Sequence, residues 1–568
     1  MSNPDRHADL ISRFGALSPA ETVLVDNIGV GHVDQLGEGK VPEPDDVEQQ
    51  VRAELIRYLL LGGGHAPKMH EKGIRLSGVT ITGILDLEGC RIPHDIGLLD
   101  CRFEMKPVLR SAQLDTVSFD GSILPGLAAD RVEARGDLLL RAARVRGPVA
   151  LRGARIGGDL AFDGAELSHP NDRAIRAERI SIRGSASFRG ARVQGGISIP
   201  GARAGGDLDF VGVHVEQPGD VAIDADAVHV NGDLILRHVN VDGRVRAISA
   251  QVDGDADASG AKIRAKGDIA LNLNRSVVGG AFFLRDEATV EGALSLNGST
   301  LGAIVDDVAS WPQPGDLLLN HCRYGGFLGS SVDASERLNW LSRQDPSRWG
   351  EDFWPQPYEQ LARVMAEMGH PEDKRRVLIE KERLQRTSRR LRTSGKATRA
   401  LLWLSDRVLW ATTGYGRRPL LAVIWIAVFW VLGGVYYGWL EHTDAIRPNS
   451  VVVLRSPEWV LCSVPTTETT FLVSTGQERQ GLAAAGQTQL SCFFEQPEAD
   501  AFPKFSPLML SADMIFPGLG SGQREYWSPD TRTTSGYIGR LYAYFQALAG
   551  LGLGLLAVAG FSGIVRSD

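Results

Sequence analysis

With 568 residues, the chain exceeds what one hydrophobic core holds and divides, as a prior, into about three to five domain-sized pieces. Charged residues at 23% and hydrophobic ones at 43% exclude global disorder, five cysteines exclude a disulfide-stapled secreted fold, and a formal charge of −8 gives no global case for nucleic acid. Glycine is in excess, 65 residues or about 11% against a usual ~7%, without the G-x-y period of collagen.

Residues 1–75 carry no signal-peptide pattern and read as an N-terminal helical cap. Ser18-Pro19-Ala20-Glu21 is a capping box with proline at the first helical position. A second helix is expected from about Asp46 to Leu61, carrying Val51, Leu55, Ile56, Leu59 and Leu60 and stopped by Gly62-Gly63-Gly64. No strand precedes those glycines and Lys68 is not in Walker position, so they read as a terminator rather than a phosphate loop.

From 76 to 331 one phrase keeps restarting. Apolar residues fall in a 2-3-2 spacing, as at Leu138, Leu140, Ala143 and Val145, which suits short strands separated by tight corners and not a helix. Glycines recur eleven apart at Gly136, Gly147 and Gly158, and the triplet repeats 48 residues on at Gly184, Gly195 and Gly206, then at Gly232, Gly243 and Gly254. Leu127, Ile175, Ile223 and Leu271 keep the same 48-residue offset. This periodicity predicts a mainly β fold, a single-stranded β-solenoid with coils of roughly 22–24 residues and helical caps, over an antiparallel sandwich. Small residues such as Ala143, Ala154, Ala165 and Ala191 suit a narrow interior. Asp207, Asp209, Asp233, Asp253, Asp255 and Asp257 fall at corners, yet the Gly-Gly-x-Gly-x-Asp calcium repeat is missing and no metal site is assigned.

Residues 332–400 predict a helix over Val332–Arg343, then a helical hairpin joined at Gly369-His370-Pro371, then a basic linker. A juxtamembrane helix and a first transmembrane helix are expected within 401–440, and a second span over 541–565. Pro419–Leu440 and Leu541–Val565 are charge-free runs of 22 and 25 residues, each long enough to cross ~30 Å of hydrocarbon. Residues 374–418 hold fourteen Lys/Arg against three Asp/Glu, whereas 441–540 hold seven against eleven. The positive-inside rule then places the solenoid and both termini in the cytoplasm and 441–540 outside. The basic segment is expected to lie against anionic headgroups, with nucleic acid not expected as a partner.

Cys462 and Cys492 are the only cysteines of the predicted external loop, which points to a disulfide closing 31 residues; Cys90, Cys101 and Cys322 fall on the reducing side. Phe505–Pro517 is apolar but too short to span. An interfacial helix near 508–516 is the favoured reading, with a re-entrant pore helix as the alternative. Asp513 interrupts that stretch and is a candidate functional acid. Gly434 with Gly438, Gly550 with Gly554, and Gly563 form small-residue faces, which pack the spans on each other or build a homo-oligomer. No nucleophile, base, metal or cofactor fingerprint is present, so no catalytic or cofactor residue is assigned.

Several blocks carry a resemblance: Leu76-Ser77-Gly78 with Gly83–Gly89, Trp354-Pro355-Gln356-Pro357-Tyr358-Glu359-Gln360-Leu361-Ala362, Leu510–Pro517, and Gly522-Gln523-Arg524-Glu525-Tyr526-Trp527. Over most of 50–568 the chain resembles a group of bacterial membrane proteins with pentapeptide-like or bactofilin-like repeats and a two-span C-terminal region. These are often labelled membrane-associated oxidoreductases. The resemblance implies a multi-pass protein of the bacterial inner membrane and carries over no functional residue. Three functions follow as expectations: a membrane-anchored scaffold or assembly module, an oligomeric channel or effector, and, on the label alone, an oxidoreductase.

Overall fold

A computed structural model describes residues 10–43, 46–63 and 66–561. The chain forms two compact units, Met1–Lys381 and Glu382–Asp568.

The first unit is a parallel β-solenoid. One position in the larger sheet stacks through eleven rungs, from Arg91 and Gln113 through Glu133, Arg155, Ser181, Arg203, His229, Gln251, Val277 and Thr300 to Arg323. The eleven-residue period is half a coil. From Ala134 the buried positions are 138, 140, 143 and 145, then 149, 151, 154 and 156, so a 4-2-3-2 spacing occurs twice per turn. Four short strands make one coil: Glu133–Ala134 and Leu138–Leu139 in one sheet, Arg144–Arg146 and Val149–Ala150 in the other.

The 48-residue period is two unequal coils. Leu138, Leu160, Ala186, Leu208, Leu234 and Ala256 stack in succession, at steps of 22 and 26 residues in alternation. The 26-residue coils carry extra residues as projections inside the long strands Glu166–Arg176, His214–Asp224 and Lys262–Asn272. Register breaks there between Ser168 and Arg173, Glu216 and Val221, and Arg264 and Ile269. The coil length expected from sequence is therefore an average of two real ones.

The column Leu127, Ile175, Ile223 and Leu271 is every second member of one buried stack, with Val149, Ile197 and Val245 between them. Phe162, Phe188 and Phe210 stack inside the rod, with centroids 5.2 and 4.9 Å apart. Each coil buries the open face of its neighbour, so the ends need covers.

At the N-terminal end the helix Pro19–Asn27 begins with the expected capping box, and Glu21 also accepts from the Arg52 amide and Nε at 2.9 and 2.7 Å. Burial alone would raise the Glu21 carboxyl, but these hydrogen bonds and the Arg52 charge hold it below its ordinary value. The helix expected over Asp46–Leu61 is shorter, Ala53–Leu60. Gln50–Arg52 instead joins the sheet beside Thr80–Thr82, because the first coil needs a partner for its backbone. Gly64 lies outside the described residues.

At the other end Ala334–Leu341 covers the last coils. Arg337 is fully buried and forks onto Asp306 at 2.7 and 2.8 Å, with Phe327 3.7 Å from its guanidinium and Trp311 Nε1 donating to Asp306 at 2.8 Å. The helix Gln356–Glu367 then places Gln356 and Gln360 where their amides donate to the carbonyls of Cys322 and Tyr324, which no further coil pairs. This accounts for the Trp-Pro-Gln-Pro-Tyr-Glu-Gln block: it seals a solenoid edge. The basic helix Pro371–Arg392 follows.

The second unit holds an amphipathic helix, Lys396–Thr413, and two helices long and apolar enough to cross a membrane, Leu420–His442 and Thr534–Phe561. Their apolar side chains stay largely uncovered, as at Val435, Leu548 and Val558, which are 67–71% exposed. A buried soluble helix would hide them. The second begins seven residues before the sequence-predicted span. Residues 446–529 fold between the two helices, tied by the antiparallel pair Ile446–Pro448 with Trp527–Pro529.

Candidate functional site

The solenoid glycines have two different uses. Gly136, Gly158, Gly184, Gly206, Gly232, Gly254 and Gly280 form one stack, each donating its amide to the carbonyl of the one before, at 2.8–3.1 Å. Where an acid follows the glycine, it serves the next coil, and Ser185 after Gly184 does the same by accepting the Asp207 amide at 3.0 Å. Asp207, Asp233 and Asp255 each accept a backbone N–H through Oδ1, from Asp233, Asp255 and Ala281 at 2.9, 2.7 and 2.7 Å. A Cβ at Gly232 would stand 2.1 Å from the Asp207 carboxylate. These corner acids are thus occupied with backbone amides; Asp209 and Asp257 pair with Arg189 and Arg237. Among the described residues no three His, Cys, Asp or Glu side chains group as a metal would need.

Gly195 and Gly243, at φ +113 and +132, lie under the projecting segments, where a Cβ would meet the carbonyls of His169 and Gln217 at 2.5 Å. The segments 169–172, 217–220 and 265–268 form a ridge. Arg173 reaches Asp220 at 3.5 Å, and Arg244 spans Asp220 and Asp268 at 3.4 and 3.0 Å. The Val221 amide and these two arginines hold the Asp220 carboxyl below its ordinary range. Leading into this ridge, outward residues of four coils line a groove of about 290 Å³ that includes Arg146, Ser168, Arg192, Gln194 and Glu216. Sequence reasoning missed both groove and ridge; the 48-residue recurrence of Asp172, Asp220 and Asp268 was the available signal.

In the second unit Cys462 and Cys492 are joined, with S–S 2.07 Å and Cα–Cα 5.6 Å. Around them Trp459, Leu490, Phe493 and Trp527 form a core, and Phe494, Phe502 and Phe505 ring Trp527 at 5.3–5.7 Å. Cys101 and Cys322 are buried, which pushes each thiol up to about 12 and keeps it protonated and unreactive at neutral pH.

The short helix Pro507–Ile515 does not lie beyond the helix ends as an interfacial reading requires. It wedges between the two apolar helices, at the level of Trp430–Gly434 on the first and Gln546–Gly550 on the second. Gly434 and Gly550 face this wedge: a Cβ would stand 2.4 Å from the Leu508 side chain and 2.4 Å from the Ile515 carbonyl. Gly438 has ordinary contact with Pro507, at 3.7 Å, and nothing lies within 4 Å of a Cβ on Gly554. Gly563 lies outside the described residues. Asp513 is buried on the wedge and accepts the amides of Ser521 and Arg524 at 3.2 and 3.3 Å, which pins the Gly-Gln-Arg-Glu-Tyr-Trp loop.

A polar cluster that the sequence reading passed over sits at the wedge. Gln546 accepts from the Tyr437 hydroxyl at 3.0 Å and donates to Ser511 Oγ at 2.7 Å and the Phe429 carbonyl at 3.1 Å; Ser511 donates to the Trp430 carbonyl at 2.8 Å. Every polar atom of the Gln546 side chain is engaged. A lone amide in an otherwise apolar 25-residue run was the signal. Gly433 leaves the room for it, since a Cβ there would come within 2.3 Å of both Gln546 and Ser511.

A second cavity, about 390 Å³, lies between the end of the basic helix and the amphipathic helix. Arg383, Arg390 and Arg407 line it against one carboxylate, Asp406, with walls from Trp403, Trp410 and Tyr415. Asp406 is buried and pairs with Arg386 and Arg390 at 3.2 and 3.3 Å. The Arg386 guanidinium lies 5.0 Å from the Tyr415 ring centre and that of Arg407 lies 5.4 Å from Trp403. Burial, with Asp406 nearby, holds the Tyr415 hydroxyl above its ordinary range, so it remains a donor.

No family model, curated protein or solved structure matches the chain.

Proposed function

We propose that the chain is a membrane-anchored solenoid module, with the rod serving as a protein-interaction or assembly surface on the cytoplasmic face and residues 446–529 outside. The observation that carries this reading is the ridge-and-groove face: the ridge recurs on every second coil, is stapled by the Asp220–Arg244–Asp268 bridge, and leads onto a polar groove built from rigid strands. A surface held this firmly loses little conformational entropy on binding. Two apolar helices with the wedge supply the anchor, and the charge asymmetry supports the orientation.

A photo-crosslinking residue at Gln194 in the groove tests the assignment against the same residue at Gln251 on the other sheet. The reading expects one discrete adduct from position 194, to a second copy or to one partner, and none from 251. Equal or absent adducts from both would remove it. A second reading, an oligomeric channel, draws on the re-entrant position of Pro507–Ile515; two helices cannot enclose a path alone, so it requires a ring of protomers with conductance in planar bilayers.

A further inference from the structure

The wedge ends deep between the two apolar helices. Gly539 abuts Leu440 at one end of the helix pair, and Leu553 and Ala557 pack on Ala422 at the other, so the two helices share one depth scale. On the first, Ser511 donates to the carbonyl of Trp430, ten residues or about 15 Å from Leu440, where the charge-free run ends. On the second, the Ile515 carbonyl lies beside Gly550, eleven residues or about 16 Å from Gly539. Both distances put the end of the wedge near the middle of ~30 Å of hydrocarbon.

There the helix stops. Residues 516–522 are non-helical, and the first five of them are exposed. Leu519 donates its amide to the Phe516 carbonyl. Among the described residues nothing pairs with the amides of Gly518 and Gly520 or with the carbonyls of Pro517, Gly518, Leu519 and Gly520. Hydrocarbon offers such groups no partner, and irregular backbone at membrane depth persists only inside protein or against water.

The return limb climbs from Asp513, which accepts the Arg524 amide, to Asn449, whose Nδ2 donates to the Glu525 carbonyl. Asp513 is two residues from Ser511, about 160° around the wedge, so the limb it pins covers the side turned away from the two helices. Met509 and Phe516, four before and three after Asp513, flank it on that side and are exposed, as is Leu519. The side chains of Arg524 and Glu525 are exposed too, with no ion pair among the described residues.

An apolar rim around unpaired backbone is the composition of a protein contact rather than of a water-filled path. The unpaired groups include donors and acceptors, and Arg524 adjoins Glu525, so the surface is its own complement. A two-fold axis sets amide against carbonyl, and Arg524 of one copy against Glu525 of the other.

We propose that residues 516–525 form the contact by which a second copy of this chain docks within the membrane, the two loops meeting about a two-fold axis. The proposal rests on the two-span reading and is independent of the assembly role of the rod.

The test uses the full chain in its membrane with a benzophenone side chain at Leu519, and at Leu548 as the control. Leu548 is exposed at wedge depth and lies about 160° around its helix from both Gln546 and Gly550, which face the wedge. Irradiation is expected to give an adduct of twice the chain mass from position 519 and lipid adducts only from 548. Glu525→Arg sets like charges together and is expected to lower the dimer adduct by about tenfold or more; Arg524→Glu/Glu525→Arg is expected to restore it.

Equal dimer yields from 519 and 548 would mean chance collision and overturn the proposal, a result that needs no charge variant to fold. Lipid adducts alone from 519, in a chain that resists alkaline carbonate extraction, would put the loop in lipid and overturn it while the two-span reading stands. An adduct of any other mass would give the surface to a different protein. Labelling of Leu519→Cys by an impermeant maleimide in a Cys90→Ser background, without dimer, would make it the wall of a water-filled path; either result also overturns it. Release of the chain by carbonate would remove the two-span reading, and the proposal with it.

Discussion

The solenoid and the apolar helices both depend on glycine, and they use it against opposite constraints. In the rod, Gly232 and its stack-mates let one coil's backbone approach a polar side chain of the coil before, Asp at most positions and Thr116 or Ser185 at Gly136 and Gly206, so the requirement recurs with every turn. In the helices, Gly433, Gly434 and Gly550 each make one unrepeated opening for the wedge and for Gln546. Periodic demands leave periodic sequence; single demands leave isolated residues that look like any others in an apolar run. The contrast extends to polar groups. The rod meets its backbone needs by stacking and requires special devices only at its ends, whereas the helix pair satisfies its backbone internally and gains specificity from one side-chain cluster.

The largest test of this contrast is at the rod's end. Arg337→Met leaves Asp306 buried without its partner and is expected to destabilise the last coils by ~3–5 kcal/mol, read as faster amide exchange there with none in the helices. Adding Asp306→Asn is expected to recover much of the loss. Next, Gly232→Ala forces a Cβ against Asp207 and is expected to cost ~1–3 kcal/mol, while Gly554→Ala, facing open space, is expected to be neutral by thermal unfolding. Equal effects would show that the rod does not need its glycines for close approach. Gln546→Leu is expected to loosen the wedge by ~1 kcal/mol, measured as increased proteolysis near Gly518 in detergent.

The smallest effect is on pH. The Glu21 carboxyl is lowered below its ordinary 4.5, so its contribution is complete above that value and is lost as pH falls through the lower folded value. Protection of the Arg52 amide, its exchange taken relative to the intrinsic rate at each pH, is expected to fall below pH 4.5 in the native chain and to stay constant there in Glu21→Gln.

Much of the rod was legible, because the inward residues at 138, 140, 143 and 145 and the columns through Leu127 and Gly136 report the same stacking from independent positions. The unequal coils were not, since the extra residues at 169–172 recur with the 48-residue period and leave it unchanged. The helix expected over Asp46–Leu61 failed where pairing with Thr80–Thr82 overrode local propensity. The Cys462–Cys492 pair followed from there being no other cysteine nearby in the chain. The wedge was legible only as an apolar run too short to span: its contacts with Gly433 and Gln546 come from residues 78 and 35 positions away from Ser511, with no repeat to announce them.

The central proposal is that the two apolar helices cross a membrane and leave the rod and residues 446–529 on opposite sides. A membrane-impermeant maleimide applied to intact cells tests it directly, with single cysteines placed at exposed Glu478 or Gln194 in a Cys90→Ser background. Glu478→Cys is expected to label in intact cells and Gln194→Cys only after permeabilisation. Labelling of Gln194→Cys in intact cells, or of both positions equally, would contradict the account.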